Sequence, residues 1–260
     1  MNNTSQQPNR PRTAVILAAG KGTRMGGDMP KVLHEVAGKP MLHWVAQACR
    51  EAGAAPLIVV VGYRSELVRE ALAGQDDIVF VEQTEQLGTG HAVEVCRDSL
   101  ADLGGDAFVL AGDGPLIRAR TLCKMAEMHA RSQASATLAT AVLEDATGYG
   151  RIVRDEQDRF ASIVEHKNAS EAQLAIHEVY PSYAIFDVYD LLEMLEILPR
   201  DAVSGEFYLT EVPAMLRSNG KQVEIVPGVP AEDILSINTP AQLADVDAIL
   251  QNRLHMEATT

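Results

Sequence analysis

Leu17-Ala-Ala-Gly-Lys-Gly-Thr-Arg-Met-Gly-Gly-Asp-Met-Pro-Lys31 decides how the rest of the chain is read. It follows Thr13-Ala-Val-Ile-Leu17, an apolar, β-branched run that reads as a buried parallel strand passing into a loop. The loop holds four glycines (Gly20, Gly22, Gly26, Gly27) and three cations (Lys21, Arg24, Lys31). Glycine lets backbone N–H groups approach a ligand closely. A concave row of such groups beside cations is an anion site, and a polyphosphate is the ligand it suggests.

Two familiar phosphate loops do not fit. A P-loop needs Lys and Ser/Thr directly after its second glycine, whereas Asp28 and Met29 follow Gly27. A dinucleotide fingerprint needs its third glycine one residue earlier than Gly26, and no acid lies between Glu35 and Glu51 to hold a ribose. In-line attack on a nucleoside triphosphate, by contrast, concentrates charge on phosphoryl oxygens and needs cations and donors already in place.

The 260 residues are 47% hydrophobic, enough for one large α/β domain or two small ones. A formal charge of −14 argues against nucleic acid or an anionic membrane as partner. No apolar run approaches the ~20 residues that span a bilayer. Residues 1–12 are polar, lack the apolar core of a signal peptide, and read as a disordered tail. Cys49, Cys96 and Cys123 lack metal or disulfide spacing and read as buried reduced thiols, which places the chain in the cytoplasm.

Strand and helix patterns alternate. Helices are expected from Pro40 to Ala52, Ser65 to Ala73, Gly90 to Leu100 and Thr121 to Arg131, with strands at 57–61, 78–81 and 107–111. Such βαβ alternation predicts a mostly parallel sheet with helices on both faces and a ligand at the strands' C-terminal ends. The second half is less regular. Strands are expected at 135–143, 152–154, 163–165, 179–186 and 223–226, and helices at 189–198, 207–219 and 240–254. Pro213 marks a kink or late start in the second of these helices. One domain over 13–255 is expected, with a lobe inserted over about 141–230.

Asp113 follows an apolar strand and precedes Gly114-Pro115. A carboxylate there suits Mg²⁺, which takes hard oxygens and bridges phosphates; a turn-forming Asp is the plainer alternative. Asn238 offers a second oxygen, or caps the helix starting at Pro240. Gln83, Gln86 and the loop Leu87-Gly-Thr-Gly-His91 carry amides able to read a base edge, with Thr89 as an alternative helix cap. His91 reads as a helix-start histidine. A nucleophile already anionic at neutral pH would need no catalytic base.

The signature Leu-Ala-Ala-Gly-x-Gly-Thr-Arg-Met from Leu17, followed by Pro30-Lys31, resembles that of nucleotidyltransferases that make nucleotide sugars. The runs Gln83–Ala92, Ala111–Asp113 with Pro115-Leu116, Thr147–Arg151, Val164–Lys167 and Gly205–Glu211 follow in the order seen in N-acetylglucosamine-1-phosphate uridyltransferases. The resemblance covers nearly all of 13–250. It implies a Rossmann-like nucleotidyltransferase fold and Mg²⁺ as cofactor. The substrates it implies are UTP and a sugar 1-phosphate, with pyrophosphate released, and the protein is expected as a monomer or small homo-oligomer. By motif, Leu17, Ala18, Ala19, Gly20, Gly22, Thr23 and Gly112 hold the nucleotide. Gln83, Gln86, Gly88 and Thr89 serve the base. Arg24 and Lys31 are catalytic, Asp113 and Asn238 hold the metal, and Gly150, Glu165 and Tyr180 lie at the sugar.

Three departures stand out. Tyr180-Pro-Ser182 replaces the family's Asn-Thr-Gly sugar motif, and Gly114 replaces its usual valine. No hexapeptide repeat of a C-terminal β-helix follows, so acetyl transfer is not expected. The default acceptor is N-acetylglucosamine 1-phosphate; the alternatives are another sugar 1-phosphate, or a non-catalytic nucleotide-sugar-binding module.

Overall fold

The computed structural model describes residues 10–259. Its first half runs β1 (Arg12–Leu17), β2 (Glu35–Val36), β3 (Lys39–Pro40), α1 (Met41–Glu51), β4 (Leu57–Val61), α2 (Ser65–Ala71), β5 (Ile78–Glu82), α3 (Thr89–Glu94), α4 (Arg97–Leu103), β6 (Asp106–Ala111) and α5 (Ala119–Ser132). The second half runs β7 (Ala136–Ala139), β8 (Ala141–Val142), β9 (Gly150–Arg154), β10 (Phe160–Val164), α6 (Glu171–Leu174), β11 (Glu178–Tyr180), β12 (Tyr183–Asp187), α7 (Val188–Glu196), α8 (Val212–Ser218), β13 (Val223–Val226) and α9 (Pro240–Ala258).

Strands without a polar face must be covered on both sides. Ala14 and Ile16 of β1, Leu57, Val59 and Val61 of β4, and Phe108 and Leu110 of β6 enter one core, with Leu42, Val45, Val68, Leu122 and Met125 from α1, α2 and α5. The alternate residues Val15, Ile58, Val60, Ala107 and Val109 enter a second core, with Val93, Leu100, Leu191, Val212 and Leu216 from α3, α4, α7 and α8. Each such aliphatic side chain contributes about 1.5–3 kcal/mol when fully buried. The sheet between the cores has seven strands in the order β13-β7-β12-β6-β1-β4-β5. Only β12 runs antiparallel to its neighbours. This is the Rossmann-like α/β layer that the sequence implies, with helices on both faces.

A second sheet, β10-β9-β11-β8, stands beside the first. It is smaller than the lobe drawn over 141–230, because β12, α7, α8 and β13 belong to the central layers. Two strands read as continuous are broken where the chain changes sheets. The run 135–143 divides at Thr140, whose carbonyl takes the Val229 amide and whose amide donates to Val226. The run 179–186 divides at Pro181-Ser182, where Ser182 has φ 63°. The helix expected over 90–100 is two helices meeting at Val95-Cys96. Pro213 marks a late start: a 3₁₀ turn over Leu209–Glu211 precedes α8, with Pro213 in its first turn.

The tail expected over 1–12 lies outside the described residues up to position 9. Its end is ordered: Arg12 opens β1, and Arg10 pairs with Asp187 at 2.5 Å and Asp106 at 3.3 Å. Cys49 and Cys96 are buried free thiols, and burial pushes both up to about 12; Cys123 is half-buried. Among the described residues no helix is long and apolar enough to cross a membrane.

Candidate active site

The loop after β1 is pinned at its base and open at its tip. The Leu17 carbonyl takes the Gly112 amide, the Ala18 amide donates to Val60, and the Ala19 carbonyl takes both the Tyr63 amide and the Gln86 side-chain amide. The next six amides, Ala19 to Arg24, donate to no acceptor among the described residues. The loop turns at Gly22 (φ 66°), where a side chain would run into that of Lys31. Met25 anchors it in a third apolar cluster with Val36, Met41, Leu116, Ile237, Val246 and Leu250. Thr23 stays exposed.

Arg24, Lys31, Asp113 and Asn238 meet. Asn238 Oδ1 accepts from Arg24 Nη2 at 2.9 Å and from Lys31 Nζ at 2.7 Å, and Lys31 is ion-paired with Asp113. Thr239, not Asn238, caps α9, by accepting from the Gln242 amide, so the Asn238 side chain is free to face the loops. The Ile237 amide donates to the Asp113 carbonyl at 3.1 Å and fixes the two segments to each other. Lys21 stands apart from the other two cations, over the Tyr63 ring.

Beside this cluster a cavity of about 280 Å³ is lined by Leu17, Gly20, Gln83, Gln86, Gly88 and Thr89, together with Glu206 and Tyr208. Thr89 is no helix cap: its Oγ1 accepts the Leu209 amide at 3.0 Å. The same segment reaches the second sheet, where Thr210 Oγ1 donates to Glu165 Oε1 at 2.8 Å. There Gly150 and Tyr180 face each other across β9 and β11. Burial, and then the charge of Glu165, pushes the Tyr180 phenol above its ordinary pKa. Burial, and then the charges of Glu165 and Asp201, likewise raises the Glu211 carboxyl. The segment bearing Glu206, Tyr208 and Thr210 therefore links the glycine-loop cavity to Glu165 beside the second sheet. Their signal was the run Gly205–Glu211, to which no role was attached because nothing local says what it touches.

Residues 14–198 match the model of the MobA-like NTP transferase domain. The chain belongs to that family. Its curated relatives include the bifunctional protein GlmU of Pelobacter propionicus, 41% identical over 244 residues, and that of Heliobacterium modesticaldum, 44% identical over 244 residues. Each alignment covers 94% of this chain and 53% of the relative, so the chain spans about half the length of the curated relatives it matches. A solved structure from Bacillus anthracis, described as a glucose-1-phosphate thymidylyltransferase, superposes with a TM-score of 0.75. It covers 92% of this chain and 94% of its own at 15% identity, and so shows the shared fold. The NTP transferase match ends before Gly205–Glu211 and Asn238, both of which fold back onto the matched part.

In this NTP transferase the departure at Gly114 has a partner. A Cβ at position 114 would lie 2.5 Å from the hydroxyl of Tyr183, the buried residue that starts β12. That hydroxyl donates to the Asp233 carbonyl at 3.3 Å. Burial, followed by the charge of Asp113, raises the Tyr183 phenol. The Asp233 side chain is fully buried and takes Arg118 Nε at 2.9 Å and Arg253 Nη2 at 2.7 Å. These contacts tie the turn bearing Asp113, the approach to Asn238, and α9 into one block.

Proposed function

We propose that the chain is a sugar-nucleotide pyrophosphorylase that transfers a uridylyl group from UTP to N-acetylglucosamine 1-phosphate, giving UDP-N-acetylglucosamine and pyrophosphate. The observation that carries this reading is the meeting of Arg24, Lys31, Asp113 and Asn238 at the C-terminal ends of β1 and β6, beside the glycine-loop cavity. In the transfer, an oxygen of the sugar 1-phosphate attacks the α-phosphorus in line. The bond from that phosphorus to the bridging oxygen breaks, and pyrophosphate leaves with the electron pair. The free amides from Ala19 to Arg24 hold the triphosphate, and Arg24 and Lys31 stabilise the charge that builds on its oxygens. Gln83, Gly88 and Thr89 take the base, and Gly150, Glu165 and Tyr180 the sugar.

Mg²⁺ fits the donor set. Asp113 and Asn238 both turn oxygens toward one ammonium group, so the point they share already suits a cation. Among the described residues no cluster of three or more His, Cys, Asp or Glu is placed to hold a metal, so Asp113 and Asn238 would hold the ion only together with the substrate's phosphates. When bound, Mg²⁺ supplies charge neutralisation to the triphosphate.

A second reading keeps the chemistry and changes the acceptor. Tyr180 is buried beside Glu165, and no described residue bonds its hydroxyl, so a ring occupies the place of the family's sugar-binding amide. A pyrophosphate-release assay crossing four nucleoside triphosphates with a panel of sugar 1-phosphates separates the readings. UTP with N-acetylglucosamine 1-phosphate is expected to turn over fastest. A different best sugar establishes the second reading, and no turnover with any pair leaves a binding module.

A further inference from the structure

Gln83 is 5% exposed, yet it lines the nucleotide cavity. Its Nε2 donates to the Gly88 carbonyl at 3.1 Å and meets His91 Nδ1 at 3.1 Å. The direction of an amide follows from its partners. A carbonyl oxygen only accepts, so the group facing Gly88 is the NH₂, and both of its hydrogens are then committed, one to Gly88 and one to His91. His91 Nδ1 must present a lone pair, which puts the imidazole proton on Nε2. His91 also lines a separate cavity of about 450 Å³, together with Glu94, Arg97, Glu196, Leu195 and Phe207. Gln83 Oε1 takes no hydrogen bond from the described residues, and it is not among the sealed, unpartnered atoms. A buried side chain thus leaves one polar atom open, and that atom is an acceptor.

We propose that His91 is a positioning residue that holds the Gln83 amide so that the nucleotide pocket presents an acceptor to the base. The pocket then selects a ring with an N–H at that point, as in the imide of uracil or thymine, over one with a lone pair, such as N3 of cytosine. This rests on the nucleotidyltransferase reading above and extends it to a residue outside the pocket. His91 touches no substrate; it acts through Gln83. Without it, one of the two bonds that hold the amide is gone, and the side chain, tied to Gly88 alone, holds its acceptor less firmly at the base.

The test compares the native protein with His91→Leu, which removes the acceptor, and His91→Asn, whose Oδ1 replaces Nδ1. Steady-state pyrophosphate release with UTP and with CTP is measured alongside the melting temperature. Losing one orienting hydrogen bond should lower the UTP-over-CTP ratio of kcat/KM roughly five- to tenfold in His91→Leu, mainly through KM for UTP. His91→Asn should keep the native ratio. An unchanged ratio in folded His91→Leu overturns the proposal. Equal losses in both variants also overturn it, since they assign His91 to packing alone. A native protein that does not prefer UTP refutes the uridylyl reading instead, whatever the variants do.

Discussion

On the side of the cleft proposed for the nucleotide, most polar groups hang from the C-terminal end of a parallel strand: Gly20 to Arg24 after β1, Gln83 to Thr89 after β5, Asp113 after β6, with Asn238 ahead of α9 and Glu206 and Tyr208 ahead of α8 as the exceptions. On the side proposed for the acceptor the groups come from three places far apart in sequence. Gly150 and Tyr180 sit on facing strands, Glu165 follows β10, and Thr210 reaches Glu165 from the segment before α8. The parallel sheet fixes the first set through strand order alone, so those side chains are replaceable only by groups of the same chemistry. The second set depends on how two sheets and a connecting segment fit together, and that fit can be rebuilt. The departures from the family's motifs, at Gly114 and at 180–182, touch the acceptor side or its junction with Asp113.

The largest effect that follows belongs to the nucleotide side. Asp113→Ala or Arg24→Ala should lower kcat on the order of 1000-fold, with the melting temperature little changed, because both side chains are at least partly open and neither belongs to an apolar core. Kinetics beside a thermal melt decide it. Near-native turnover in either variant would erase the contrast between a fixed nucleotide side and an adaptable acceptor side.

Next comes the block that joins the sides. Removing the buried Asp233 carboxylate strands Arg253, which is only 9% exposed. Breaking a buried ion pair from one side costs about 3–5 kcal/mol, a fall in Tm of roughly 10 °C or more for Asp233→Ala. Since the segment after Asp233 leads to Asn238, activity at temperatures well below the melt should drop too. A stable, active Asp233→Ala would mean the two sides are positioned independently.

What could be read from the chain follows the same division. β1, β4 and β6 were legible because unbroken apolar runs ending in glycine or a carboxylate leave few other structures. The meeting of Arg24, Lys31 and Asp113 was legible because loops after parallel strands converge at one end of a sheet, a rule that does not reach Asn238 ahead of α9. Illegible were the break at Val95-Cys96, which carries no glycine or proline, and the change of sheet at Thr140. The role of Gly205–Glu211 was also hidden, since its contacts lie with Thr89 and Glu165. Nothing in the sequence pairs Gly114 with a neighbour; only packing shows that the Tyr183 hydroxyl fills the space it leaves.

That pairing predicts a smaller effect with a clear signature. Gly114→Ala brings a methyl group against the Tyr183 hydroxyl and should cost about 1–3 kcal/mol, the usual range for an overfilled core. The Tyr183 ring carbon Cζ is 3.4 Å from the same point, an ordinary contact, so in a Tyr183→Phe background the substitution should cost distinctly less. A double-mutant cycle from denaturant melts measures the coupling. Additive losses would show that the two positions changed independently.

The smallest effect isolates backbone from chemistry within the acceptor motif. Ser182 holds φ 63° at the place where the family's motif has glycine, a left-handed conformation that costs an ordinary residue about 1–2 kcal/mol. The strain lets Pro181-Ser182 turn the chain from β11 into β12, which must cross from one sheet to the other. Glycine relieves it, but also widens the unfolded ensemble, so Ser182→Gly should stabilise by no more than about 1 kcal/mol. Because the serine acts only through the backbone, the ranking of sugar 1-phosphates should be unchanged, as read from the same pyrophosphate-release panel. A changed ranking would place acceptor choice in the shape of the turn rather than in the ring of Tyr180, and would make the sheet crossing itself part of the sugar site.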